Sequence, residues 1–249
     1  MLLKNTIKEI FYGLVRFLPA DGAVILMYHS VGDNNNLFTV RPGDFEKQMA
    51  YLSGDKFNVI SLSSLLDLLA GKKTIPPKTV VITFDDGYED NHSVALPVLK
   101  KYNLHASVFV ITGMIGGERA PRGGTNIKML SLERMKQMRD SGLIDFYPHT
   151  DSHPKLTDSN PEMVKNEIAA SRAMLEKEFG GQANMFAYPY GKYNEVVIKE
   201  LKDQNFRGAV TVNIGRIKNT DNPFLLKRNS IDSKVTWSMF KGIVHHGRL

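Results

Sequence analysis

Cysteine is absent from all 249 residues. That excludes a disulfide framework, a thiolate nucleophile, an iron–sulfur cluster and any zinc site with sulfur ligands. A metal site would have to use His, Asp or Glu. No apolar run reaches the roughly 20 residues of a membrane-spanning helix. The nearest candidate, residues 1–19, is interrupted by Lys4, Lys8, Glu9 and Arg16. It also lacks the unbroken apolar core and small-residue cleavage site of a secretory signal. The phosphate-binding GxxxxGK arrangement is missing. No basic run is interleaved with aromatics, so no nucleic-acid partner is expected. Internal repeats and an interdomain linker are missing too. One domain over residues 1–249 is therefore expected.

What is present is ordinary for a globular chain. Hydrophobic residues make up 42% and charged residues 23%, which excludes disorder as the main state. The formal charge of +6 favours anionic partners, and equally describes a lysine-rich solvated surface. In residues 1–19, Ile7, Ile10, Phe11, Leu14, Val15 and Leu18 fall at helical spacing, and Pro19 ends the run. Two readings stand: an amphipathic helix packed on the domain, or one resting on a membrane surface. The expected location is the cytoplasm, with peripheral contact at the inner face of the membrane.

Apolar, β-branched stretches alternate with helical periodicity along the chain. Strands are expected at Val24–Tyr28, Thr79–Phe84, Ala106–Ile111, Ile144–Tyr147, Met185–Tyr188, Gly208–Val212 and Phe224–Lys227. Helices are expected at 44–52, 61–70, 92–102 (with Pro97 inside it), 131–139, 160–179, 194–204 and 234–244. Residues 113–126, with five glycines and no periodicity, read as a loop. The alternation predicts a parallel α/β fold, either a doubly wound sheet or a barrel. His29, Asp85, Asp86 and His149 each follow a strand. In a barrel such positions converge at the C-terminal mouth, where sites are built.

Asp85 and Asp86 are adjacent carboxylates that repel unless a cation is near. They read as one metal ligand and one base, or as turn aspartates. Consecutive side chains point in different directions, so the two can take different jobs. His149 and His153 are four apart; on one helical turn both would face one ion. Two imidazoles and a carboxylate suit zinc or a similar divalent metal and leave a position for water, the layout of a hydrolytic site.

These residues carry a resemblance. TFDDGY at 83–88 and HTDSH at 149–153 resemble the first two motifs of the polysaccharide deacetylases, also called the NodB-homology or carbohydrate esterase family 4 domain. YPYG at 188–191 is similar to a variant of the third. ILMYHSV at 25–31 is similar to the opening of a permuted-motif subgroup that includes biofilm-polysaccharide deacetylases. The resemblance spans about residues 24–230. It implies a distorted (β/α)7 barrel. It also implies metal-dependent removal of an N-acetyl group from a poly-, oligo- or lipid-linked amino sugar, releasing acetate. Asp85 would be the general base. Asp86, His149 and His153 would hold one divalent ion, zinc first, with cobalt, nickel or iron as alternatives. Tyr190 would lend its backbone N–H to the oxyanion, and His29 would be the general acid. The implied partner is an N-acetylated saccharide. Competing functions are an O-acetyl esterase or amidase on another substrate, and a non-catalytic carbohydrate-binding relative.

Two departures from the family pattern stand out. The third motif often begins with an arginine that holds the catalytic aspartate; here Phe186 and Ala187 precede Tyr188, and Arg228 is the candidate replacement. Pro148 precedes His149 where a small polar residue is usual, which would restrict the approach to that ligand. Tyr28, Tyr88, Tyr147, Tyr188, Tyr190 and Tyr193 lie near the motifs, and suit either a sugar face or barrel packing. Arg119 and Arg122 would let loop 113–126 cover the mouth and meet an anionic group. His245 and His246 read as an exposed tail.

Overall fold

Alternation of buried residues along parallel strands sorts this chain into a barrel interior and an outer helical layer. A computed structural model describes residues 21–54, 57–121, 124–181 and 183–247. The amphipathic stripe expected at 1–19 and Arg122 lie outside the described residues.

The first half runs β1 (Ala23–Tyr28), β2 (Ser30–Val31), β3 (Thr39–Val40), α1 (Pro42–Gly54), β4 (Asn58–Val59), α2 (Leu62–Ala70), β5 (Thr79–Phe84), α3 (Leu96–Tyr102) and β6 (Ala106–Val110). It continues through β7 (Glu118–Arg119), β8 (Ile127–Lys128), α4 (Leu132–Asp140) and β9 (Ile144–Pro148). The remainder is α5 (Pro161–Phe179), β10 (Met185–Ala187), α6 (Glu195–Asp203), β11 (Gly208–Val210), β12 (Asn229–Ser230) and α7 (Trp237–His246). The main sheet has the order β12-β1-β5-β6-β9, all parallel. β4 pairs with the start of β5, on the edge that β6 takes further along. β10 and β11 form a parallel pair, which Leu226 extends by a bridge to Val210. The seven strands β1, β5, β6, β9, β10, β11 and β12 make the distorted (β/α)7 barrel; β11 is tied toward β12 by the Leu226–Val210 bridge and the Arg228 N–H to Asn213 O, and a seam remains between β9 and β10. No backbone ladder crosses that seam among the described residues.

The period of two assigns the faces. Ile25, Val81, Phe109, Tyr147, Met185, Ala187, Val210 and Leu226 form one buried cluster in the barrel, and the α2 leucines Leu62, Leu65, Leu66 and Leu69 close it at one end. Val24, Leu26, Tyr28, Val80, Ile82, Phe84, Val108 and Phe146 belong to a second cluster with the α1, α4 and α7 residues Phe45, Met49, Met135, Phe240 and Ile243. Helix starts are fixed locally. The side chains of Ser61, Ser131, Asn160, Asn194 and Thr236 each accept from the backbone N–H three residues on.

Four expectations are corrected. The helix expected from 92 begins as a π turn over Asn91–Ala95, where the Leu96 N–H reaches Asn91 O five residues back. The wider turn lets Pro97 enter near the start of α3, where its missing N–H costs nothing. Phe224–Lys227 is not a strand: Asn222 caps a 3-10 turn at Pro223–Leu225, and the strand comes later at β12. Loop 113–126 is partly ordered, holding a 3-10 turn at Thr112–Met114 and one strand of the β7–β8 antiparallel ribbon. His245 and His246 end α7 rather than forming a tail, and the Tyr51 hydroxyl meets His245 Nε2 at 3.0 Å. Pro148 ends β9 in register with Val110, on the strand whose other edge faces the seam, so its missing N–H leaves the β6 pairing intact.

Candidate metal centre and its surroundings

The inward register of β5 continues past its end, so Val81, Thr83 and Asp85 share one face. Asp85 is therefore delivered into the mouth of the barrel, where Arg228 meets it. The guanidinium binds both carboxylate oxygens, Nη1 to Oδ1 and Nη2 to Oδ2, each at 2.6 Å. Both side chains are buried. Arg228 Nε also donates to Thr211 O at 2.9 Å, and Nη1 reaches Thr83 Oγ1 at 3.3 Å. Burial alone would push the Asp85 carboxyl up. The charge and hydrogen bonds of Arg228 outweigh it, helped by His149 and His29, and hold Asp85 at about 2.

Asp86 turns the other way because its backbone is left-handed (φ 71°), as is that of Gly87 (φ 84°). Aspartate tolerates this better than most side chains. A Cβ at Gly87 would stand 3.3 Å from Val110 Cγ1. The Tyr88 hydroxyl donates to Asp86 Oδ2 at 2.9 Å and so fixes the carboxylate plane. The other oxygen, Oδ1, faces His149 Nε2 at 3.7 Å and His153 Nε2 at 3.6 Å. The three side chains are buried, and their ligand atoms lie within 4.8 Å of one another. A carboxylate and two imidazoles, with no fourth protein donor in the group, form a cluster able to chelate one divalent ion. Burial raises the Asp86 carboxyl, and the charges of His29, Arg119, His149 and His153 reverse that into a net lowering. Burial lowers both imidazoles, His153 to about 3. A neutral imidazole is the form that ligates a metal.

The two histidines are not on one helical turn. Thr150 and His153 both have positive φ (66° and 62°), so the segment doubles back instead of winding. The strained corner is held from outside. Glu167 of α5 accepts from the Asp151 and Ser152 amides through Oε2, both at 2.9 Å, and from Ser152 Oγ through Oε1. Thr150 Oγ1 accepts from the His153 amide at 2.9 Å. His149 Nδ1 lies 2.8 Å from Ala187 O, so this side chain spans the β9–β10 seam.

His29 follows β1 at the same mouth. Its ring stacks on Phe38 with centroids 4.8 Å apart, and Asn91 Nδ2 donates to its carbonyl at 2.8 Å. Its Nδ1 is buried without a hydrogen-bond partner. Tyr190 stands beside His153 in a left-handed conformation (φ 58°), half exposed, its ring centroid 4.6 Å from that of His153. Tyr28, Tyr88, Tyr147 and Tyr188 are buried and cannot meet a substrate ring; the Tyr28 and Tyr188 hydroxyls serve Gln48 and Phe224 O. Of the six motif tyrosines, Tyr190 and Tyr193 keep exposed surface. Arg119 does reach the site, 3.4 Å from Asp86 Oδ1 and 3.0 Å from His153 Nδ1. Sequence reading passed over Tyr88 as an orienting group and Glu167 as a clamp. The first stood in the quoted motif, and the second left no local signal.

No described helix is long and apolar enough to cross a membrane. The polysaccharide deacetylase family model matches residues 72–209. The Bacillus subtilis (strain 168) protein YxkH is 32% identical over 216 residues, covering 87% of this chain and 74% of the relative. The poly-beta-1,6-N-acetyl-D-glucosamine N-deacetylase of Staphylococcus epidermidis is 30% identical over 218 residues, covering 84% of this chain and 73% of the relative. The structure of the Streptococcus pyogenes deacetylase PplD in complex with acetate superposes with a TM-score of 0.80 at 28% identity, covering 93% of this chain and all of that one. A match over more than half the chain, together with the buried Asp-His-His cluster at the barrel mouth, makes this chain a member of the polysaccharide deacetylase family.

Proposed function

We propose that the chain hydrolyses the N-acetyl group of an amino sugar within a poly-, oligo- or lipid-linked saccharide, using one divalent ion held by Asp86, His149 and His153. The observation that carries this is the pairing of that buried cluster with a second carboxylate, Asp85, kept ionised beside it by Arg228. The Staphylococcus epidermidis relative is named for removing acetyl groups from such a polymer. Zinc is the first choice of ion for two imidazoles and one carboxylate; cobalt, nickel and iron suit the same donors.

A bound divalent ion supplies Lewis acidity, acidifying a water and polarising the acyl oxygen. The chain supplies the rest. Asp85 accepts the proton of the attacking water, and its fork to Arg228 aims it. The Tyr190 N–H, on its left-handed corner, donates to the oxygen that becomes negative as the carbon turns tetrahedral. The C–N bond then breaks. An amine leaves poorly as an anion, so His29 delivers a proton to the nitrogen. Acetate and a free amino sugar result. The exposed Tyr190 ring offers a face for the apolar side of a pyranose.

Acetate release from N-acetylated oligosaccharides and lipid-linked amino sugars tests the reading, with metal removed by chelation and then restored. Release should stop and return with the metal. The H149A and H153A proteins should lose both bound metal and acetate release. Near-stoichiometric metal in both variants would sink the ligand assignment.

Leaving-group dependence separates His29 from the ligands. An activated aryl acetate needs little protonation on departure, whereas an amide needs it. His29→Ala should keep its metal and lose about 10²–10⁴-fold on the N-acetyl sugar, with a much smaller loss on the aryl ester. Equal losses on both would leave His29 as a support for the fold or for substrate.

A further inference from the structure

The hydrogen-bond chain through the two imidazoles fixes where each ring hydrogen sits. His149 Nδ1 faces Ala187 O at 2.8 Å. A carbonyl only accepts, so Nδ1 carries the hydrogen and Nε2 presents its lone pair toward Asp86 Oδ1. His153 is set the opposite way. Arg119 Nη2 lies 3.0 Å from His153 Nδ1, and a guanidinium has donors alone. Nδ1 therefore accepts, and the hydrogen of the neutral ring sits on Nε2. The 3.2 Å contact between the two Nε2 atoms is then a donation from His153 to His149. Every link is satisfied: Arg119 to His153, His153 to His149, His149 to the carbonyl of Ala187.

A histidine binds a metal through the nitrogen that lacks hydrogen. His149 offers that nitrogen toward the centre of the cluster. His153 does not while Arg119 donates to its outer side. Arg119 also places its charge 3.4 Å from Asp86 Oδ1, the oxygen nearest both imidazoles. The ribbon behind it is anchored: the Glu89 N–H bonds Lys128 O at 2.8 Å, and the Leu130 N–H bonds Gly87 O at 2.9 Å. The guanidinium can swing away, but its strand stays beside Asp86.

We propose that Arg119 is a positioning residue that opposes metal uptake, acting through the ring hydrogen of His153 and through its charge on Asp86. A divalent ion at both Nε2 atoms requires the His153 hydrogen on Nδ1, and Arg119 must then withdraw. The ring stays neutral: Nε2 gives one proton to solvent and Nδ1 takes one, with no net change. Metal affinity is thereby held below what the three ligands alone would give, and filling the site frees a guanidinium at its mouth. The inference rests on the reading that Asp86, His149 and His153 hold one divalent ion, so its test does not use turnover.

Zn²⁺ affinity is measured by competition with a chelating dye, using full-length chelator-stripped wild type, Arg119→Met and Arg119→Lys. Partners of metal-bound histidines typically change affinity about 10–100-fold when replaced. R119M should bind Zn²⁺ tighter than wild type by that factor, and R119K, which keeps the charge, should fall between them. Long-range ¹H–¹⁵N spectra of the same stripped proteins read the ring hydrogen directly. His153 should carry it on Nε2 in wild type and lose that preference in R119M. Equal or weaker Zn²⁺ affinity in R119M beside stoichiometric wild-type binding, or an unchanged His153 signature, overturns the role of Arg119 and leaves the metal site standing. Failure of wild type and variants alike to bind Zn²⁺ stoichiometrically removes the metal site and the inference together. Far-UV circular dichroism checks that the variants are folded.

Discussion

Asp85→Asn should slow acetate release by about 10²–10⁴-fold while bound metal stays near wild-type content. The split follows from direction. Asp85 points along the inward face of β5 into the fork of Arg228, and Asp86 turns toward the imidazoles through its left-handed backbone. The asparagine keeps an oxygen for Arg228 but cannot hold a proton at neutral pH. KM should change little, since the missing step is proton removal. Metal content by atomic emission, read beside single-turnover rates, distinguishes the outcomes. A wild-type rate would make Asp85 structural. Loss of metal with loss of rate would exchange the roles of Asp85 and Asp86.

The second large effect belongs to stability. Arg228→Met leaves the Asp85 charge buried with no counter-charge, and breaking a buried pair from one side costs about 3–5 kcal/mol. Both partners are almost fully buried, so solvent screening offers little relief. The urea midpoint of R228M should fall steeply. R228K keeps a charge but loses the two-point fork, so it should recover only part of that loss. The D85N/R228M double variant, with neither charge left unpaired, should be more stable than R228M alone. A wild-type midpoint for R228M would show that the fork contributes nothing to holding β5 and the approach to β12 together.

Local signals explain what was legible. Thr79–Phe84 and Pro161–Phe179 match the expected bounds, because a continuous β-branched run and an Asn-Pro start carry their own instructions. β4 escaped notice because two residues, Asn58 and Val59, are too few to show a period, and their pairing is with a strand 20 residues on. Phe224–Lys227 looked like a strand by composition, but Asn222 and Pro223 turn the chain before it can extend. At the site, Asp85, Asp86, His149 and His153 were readable as strand-end residues. The shape of the 149–153 corner was not. The chain just after its left-handed Thr150 is held by Glu167, on α5, which accepts from the Asp151 and Ser152 amides. The lack of an arginine in the third motif pointed to Arg228. Only the fold brings residue 228 to residue 85.

The seam beside β9 bears on how such a site tolerates genetic drift. His149 takes its orientation from a main-chain oxygen at position 187, and every amino acid carries that oxygen. No amino-acid replacement at 187 can delete the acceptor, so barrel packing, not ligand orientation, limits the side chain there. His153 leans on a side chain, Arg119, that a single base change can remove. One imidazole is thus buffered against mutation and the other is exposed to it. A replacement at 119 would retune the second imidazole while the first stays put.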